Sequence, residues 1–178
     1  MKPVAVLLRA VNAGRPLVMA DLKKALAGLG YPDAVTVLAS GNAVIRAEAA
    51  DAALEARLEA GLTAALGQPC DAFVRDGAQL AEIVAKNPFP EMAKQDPSHL
   101  VVGFSKGDPD PGAVEALRGK IVGREEVAAG PGCLYLTYPD GIGRSKLTGA
   151  VIEKTLGGGG TARNWNTVVK LAGMTAQD

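Results

Sequence analysis

The chain has 178 residues and a mass of 18.2 kDa, with 48% hydrophobic and 21% charged side chains. A chain of that size buries roughly 70% of its unfolded surface, so it builds a core without staples, and its composition excludes a disordered chain, a coiled coil and a collagen-like fibre. Lysine plus arginine equals aspartate plus glutamate at 19 each, and zero net charge counts against a dedicated nucleic-acid binder, whose affinity rests on neutralised phosphates.

Val4 to Leu8 (VAVLL) reads as a short buried strand. It is too short for the 7–15-residue core of a signal peptide, and no run approaches the ~20 residues of a membrane span. Met19, Leu22, Leu26 and Leu29 follow at helical spacing, and Gly30 is a natural stop. Val35 to Ala39 alternates as a strand, Ser40-Gly41-Asn42 carries turn chemistry, and Ala43 to Ala47 returns as the second arm of a hairpin. Leu54, Leu58, Leu62 and Leu66 mark a second helix with Asp51 as its N-cap. Cys70 to Arg75 is another strand, and Asp76 caps a helix carrying Leu80, Ile83 and Val84. Pro88 to Pro97 reads as a connection.

The pattern then restarts. Leu100 to Phe104 is a strand, and Asp110-Pro111 opens a helix bearing Val114, Leu117 and Ile121. Val127 to Ala129 and Leu134 to Tyr138 flank Gly130-Pro131-Gly132 as a hairpin. Leu147 to Leu156 gives a helix closed by Gly157 to Gly160, and Trp165, Val168, Val169 and Ala172 give a last one. Corresponding elements start about 96 residues apart. The order predicts an α+β fold of duplicated ferredoxin-like βαββ(αβ) units packed as two lobes. The expected division is 1–76, a helix and Pro-rich connection over 77–97, and 98–178 with a C-terminal helix. The second lobe is expected to lack its last strand or to replace it with that helix.

Charge is uneven along the chain. Residues 1–46 carry six basic and two acidic side chains, 142–170 five and one, and 47–141 eight and fifteen. The basic ends also hold polar residues that secondary structure does not require. These are Arg9 to Arg15, Ser40-Gly41-Asn42, Gly141 to Lys146, and Thr161 to Thr167 with Lys170. Together these segments resemble the bacterial family catalogued as domain of unknown function 1697. Its ALLRGINVGG is met by AVLLRAVNAGR from Ala5 to Arg15. Its M-x-x-L, LG[FY] and TYxxSGN are met by Met19 to Leu22, Leu29-Gly30-Tyr31 and Thr36 to Asn42. Asn87-Pro88-Phe89, Leu134-Tyr135-Leu136, Gly143 to Lys146 and Thr161 to Leu171 follow the family as well. Ala10, Ala13-Gly14-Arg15 and Val37 depart from it. The resemblance implies repeated βαββ units and assigns no catalytic residues.

The resulting expectation is an uncharacterised cytoplasmic protein that binds a small anionic, phosphate-bearing ligand in an inter-lobe cleft. Arg9, Arg144, Lys146, Arg163 and Lys170 would supply charge, and Asn12, Asn42, Asn166 and Thr167 hydrogen bonds. The alternative is a non-enzymatic module that binds nucleic acid or protein. Each segment also has a structural reading: a hairpin turn at Ser40-Gly41-Asn42, and a helix cap at Thr161 or Asn164. Gly157 to Ala162 offers G-x-G-x-x-A, but it follows a helix rather than a strand, so it is not a dinucleotide fingerprint. One histidine, His99, and two separated cysteines give no metal-ligand spacing, and no cofactor is expected. Cys70 and Cys133 read as small buried hydrophobes.

Overall fold

The computed structural model describes residues 1–10, 16–38 and 41–176. The fold is mixed α+β, with two four-stranded antiparallel sheets and seven helices among the described residues. The chain divides into two compact units, Met1–Ala81 with the C-terminal segment from Leu171, and Glu82–Lys170.

The first unit holds β1 (Lys2–Ala10), α1 (Met19–Gly28), β2 (Val35–Val37), β3 (Asn42–Ala47), α2 (Ala52–Leu66) and β4 (Cys70–Asp76). Its strands lie in the order β2-β3-β1-β4. Val4, Val6 and Leu8 share one face of β1 because strand side chains alternate. Ile45, Ala43, Ala72 and Val74 join them from the neighbouring strands. Leu22 and Leu26 of α1 and Leu54, Leu58 and Leu62 of α2 cover that face. Each leucine buried there contributes about 1.5–3 kcal/mol over exposure. The Asp51 carboxylate accepts from Leu54 N at 2.9 Å, and α2 ends at Gly67 with φ 70°.

Strand β4 lies at a sheet edge, where unpaired N–H groups invite another chain. Here α2 closes it. Glu55 Oε1 accepts from Val74 N at 3.1 Å, Glu59 Oε1 from Ala72 N at 3.0 Å, and Thr63 Oγ1 from Cys70 N at 3.2 Å. The acceptors recur every four residues on the helix and the donors every two on the strand. Arg75 adds its guanidinium, with Nη1 3.8 Å from Glu55 Oε1 and donating to Val74 O at 2.7 Å.

Helix α3 (Gly77–Ala85) starts from a reciprocal cap. Gln79 N donates to Asp76 Oδ1 and Asp76 N to Gln79 Oε1, both at 2.9 Å. Lys2 Nζ donates to the other Asp76 oxygen at 2.5 Å. Burial alone would raise the Asp76 carboxyl, but the Lys2 hydrogen bond and charge and the backbone N–H groups of Gln79 and Ala78 hold it below its ordinary 3.8. A carboxyl depressed in the folded state stabilises above the unfolded value and loses that contribution as pH falls through the folded one. Asp76→Asn is therefore expected to flatten the fall in stability below about pH 4, read by urea titration at stepped pH. An unchanged acid slope would remove Asp76 as a cause.

A short α4 (Pro90–Gln95) and a 3-10 turn at Pro97–His99 lie in the expected connection. The second unit then holds β5 (Leu100–Phe104), α5 (Pro111–Arg118), β6 (Glu126–Gly130), β7 (Cys133–Thr137), α6 (Gly149–Leu156) and β8 (Thr161–Asn164), in strand order β6-β7-β5-β8. One sheet face packs Val101, Val127, Leu134 and Leu136 against Val114, Leu117 and Leu147. The opposite face buries Leu100, Val102, Phe104 and Tyr135, whose hydroxyl donates to Ile83 O at 2.6 Å. Gly41 (φ 78°) and Gly132 (φ 61°) occupy the hairpin turns, a conformation that favours glycine. Their carbonyls accept from Leu8 N and Ser105 N.

Two expectations are corrected. The second unit keeps a fourth strand: Thr161–Asn164, read as a polar binding segment, pairs with β5 as β8. The C-terminal helix α7 (Trp165–Thr175) does not belong wholly with the second lobe, since its residues from Leu171 group with the first unit. The reason lies at Gly77, where a Cβ would stand 2.2 Å from Thr175 O, so the end of α7 lies directly on the start of α3.

Candidate functional site

The second unit contains a cavity of about 600 Å³ on the helix-covered face of its sheet. Gly103 of β5, Leu134 and Leu136 of β7 and Ala162 of β8 form its floor, and Leu147, Ile152 and Leu156 a wall. Its origin is a difference in helix length. Helix α2 runs 15 residues between Asp51 and Gly67, whereas α6 runs 8 between its cap Thr148 and Gly157 at φ 75°. The shortfall is about two turns. Helix α2 lies along β4 and buries Leu54, Leu58 and Leu62, while no α6 residue is fully buried. Apolar side chains of α6 therefore face open space.

The mouth is polar. Ser105 Oγ donates to Gly107 O at 2.6 Å. Asp108 Oδ1 accepts from Gly132 N at 2.8 Å, and Asp110 Oδ2 caps α5 by accepting from Ala113 N at 2.9 Å. Glu153 adds a third carboxylate and Lys106 a cation. The mouth is acidic on balance.

The residues singled out from the sequence fall in different places. Arg9 is half-buried on β1 opposite Asp71 of β4. Asn42 is fully buried, and its Nδ2 donates to Val37 O at 3.1 Å, which closes the first hairpin and bears out the turn reading. Asn12 lies outside the described residues. Arg144, in a 3-10 turn at Ile142–Arg144, and Lys146 are exposed. Between them Ser145 Oγ donates to Glu125 at 2.6 Å and holds that carboxyl below its ordinary value. Asn164 Oδ1 accepts from Thr167 N at 3.1 Å, so Asn164 and the buried Thr167 form the cap of α7. Asn166 and Lys170 are exposed on that helix.

Arg163 is the exception among these cations. Only 7% of it is exposed, and its Nη1 donates to Thr161 Oγ1 at 2.7 Å and to Ala162 O at 2.8 Å. Burial pushes its guanidinium down to about 10. None of the eight expected ligand residues among the described residues lines the cavity, but both of these Arg163 acceptors belong to residues that do. His99 Nδ1 lies 2.6 Å from Asp96 Oδ2. No cluster of metal-ligating side chains occurs among the described residues.

The model of the family described as protein of unknown function DUF1697 matches residues 1–135. The chain belongs to this family. Among solved structures, the conserved bacterial protein SP0830 from Streptococcus pneumoniae aligns over 99% of each chain, with a TM-score of 0.68 and 19% identity. That likeness shows a shared fold. No curated protein matches the chain. No helix of the described residues is long and apolar enough to cross a membrane.

Sequence reasoning on this DUF1697 protein missed Gly103, Ile152, Leu156 and Ala162, the residues that make the cavity. One signal was available. The interval from helix cap to closing glycine is much shorter at Thr148–Gly157 than at Asp51–Gly67. The cavity offers an apolar bed, a backbone edge and an acidic mouth, which suits binding of a compact molecule.

Proposed function

We propose that this DUF1697 protein is a small-molecule-binding protein whose second unit takes the apolar part of its ligand into the cavity over β5, β7 and β8. The cavity beside the shortened α6 carries the reading, since its volume falls within the 300–1,000 Å³ of ligand sites. An uncharged fluorescent probe, Nile red, is expected to bind saturably with a blue-shifted emission. Gly103→Leu is expected to weaken it by about tenfold or more, equivalent to about 1.4 kcal/mol. The position tolerates a side chain, because a Cβ there meets Leu136 Cδ1 at 3.6 Å and Leu134 Cβ at 4.0 Å, ordinary contact distances. Ala162→Leu fills the same space from β8. No saturable binding to the unaltered protein, or binding by both variants as tight as by the unaltered protein, overturns the proposal.

A duplication of ferredoxin-like units accompanies this reading. In its support, both sheets run second-third-first-fourth in chain order. Asp51 and Thr148 cap corresponding helices, and Asp76 and Asn164 cap the next. A cytoplasmic setting is supported by Cys70 and Cys133, both buried and neither in a disulfide. The expected anionic character of the ligand is supported by Arg163, whose hydrogen bonds reach two residues of the cavity lining.

A further inference from the structure

An edge strand carries outward N–H and carbonyl groups that need partners wherever something covers them. Two edges are closed by side chains of the protein itself. On β4, Glu55 and Glu59 accept from Val74 N and Ala72 N. On β6, Arg118 Nε of α5 donates to the outward carbonyl of Val127 at 3.0 Å. Strand β8 is the other edge of the second sheet. The register fixes which of its groups turn outward. Val127 stands opposite Leu136, so Leu136 turns its backbone groups to β5 and meets Val101 there. Val102, the next residue, turns to β8 and meets Arg163, and Ala162 beside Arg163 turns its N–H and carbonyl away from the sheet. The Ala162 carbonyl accepts from Arg163 Nη1 at 2.8 Å. Among the described residues nothing accepts from its N–H.

Ala162 is exposed, stands opposite Gly103 in the ladder, and lines the cavity with it. A backbone donor and an apolar bed therefore meet at one residue. Leu134, Leu136, Ile152 and Leu156 supply the bed. Resting on the cavity reading above, we infer that the ligand is a carbonyl compound with an apolar body. Its oxygen accepts from Ala162 N, and its body lies in the cavity. The oxygen closes the β8 edge from outside, as Glu55 closes β4 from within. A ligand without an acceptor covers the N–H and leaves it unsatisfied, which selects against plain hydrocarbons. The contact asks only for the oxygen, so an anionic group elsewhere on the ligand is compatible with it.

The probe is 4-phenylbutan-2-one. Butylbenzene has the same apolar body and no acceptor. Each is titrated calorimetrically into the whole chain. Saturation of the nitrogen-15-labelled protein with the ketone is expected to move the Ala162 amide proton downfield and to slow its exchange with water, and butylbenzene is not. Ala162→Pro removes the donor, and an edge strand accepts proline where the N–H points away from the sheet. The variant is expected to bind the ketone about threefold to tenfold more weakly, the range of one hydrogen bond, and butylbenzene at least as tightly as before. An Ala162 amide that the bound ketone leaves unchanged, or full ketone affinity in Ala162→Pro, overturns the inference. If proline disturbs the strand and weakens both compounds alike, the amide of the unaltered protein decides. If the inference fails while Nile red and butylbenzene bind, the cavity reading stands alone. If none of the three binds, both fall.

Discussion

Trp165→Ala is expected to lower the unfolding free energy by about 3–5 kcal/mol, the range for deleting a buried aromatic ring. Trp165 is the first residue of α7, immediately after the cap Asn164, and only 7% of it is exposed. An indole ring buries about 150–250 Å², and alanine leaves most of that volume empty because packed surroundings collapse only partly. The chain has one tryptophan, so the variant is followed by circular dichroism during urea unfolding rather than by fluorescence. Trp165→Phe keeps a ring at the site and is expected to lose less. A loss below about 1 kcal/mol for the alanine variant would show that the ring does not carry core packing.

Glu55→Ala is expected to cost a similar amount, about 3–5 kcal/mol, for a different reason. Glu55 Oε1 accepts from Val74 N at 3.1 Å and lies 3.8 Å from Arg75 Nη1, with the two side chains 9% and 10% exposed. Removing the carboxylate takes the counter-charge from a buried guanidinium and the acceptor from an edge N–H. Each group was desolvated on folding and does not regain water in the native state. Glu55→Gln keeps an oxygen for Val74 N but loses the charge, so it is expected to fall between wild type and alanine. Urea titrations of the three proteins give the ranking. If the alanine and glutamine variants are equally stable, the charge on Glu55 contributes nothing beyond its hydrogen bond.

Much of the fold was legible locally. The leucines at four-residue spacing in α2, the cap at Asp51, the glycine stop at Gly67 and the hairpin around Gly41 depend on contacts within a few residues. The motifs that mark the family were legible too, and the family model bears them out over residues 1–135. The role of several motif residues was not. Asn42 serves the first hairpin, and Thr167 the cap of α7. Polar residue type alone does not distinguish a backbone acceptor from a ligand, because the same hydrogen-bonding groups satisfy both.

Strand β8 shows the limit most clearly. Thr161-Ala162-Arg163-Asn164 lacks the apolar alternation by which strands are read, and it becomes a strand through pairing with β5, a partner distant in sequence. The cavity beside it depends on the same long-range fact. From the sequence alone, Ile152 and Leu156 are the apolar face of a short helix, and Glu55 and Glu59 are charges beside one. Only folding sets Glu55 and Glu59 of α2 against the edge strand β4 and leaves Ile152 and Leu156 over an open floor. Helix and turn formation is decided by local geometry and capping, which sequence order states directly. Edge closure and cavity formation are decided by which surfaces long-range pairing brings together.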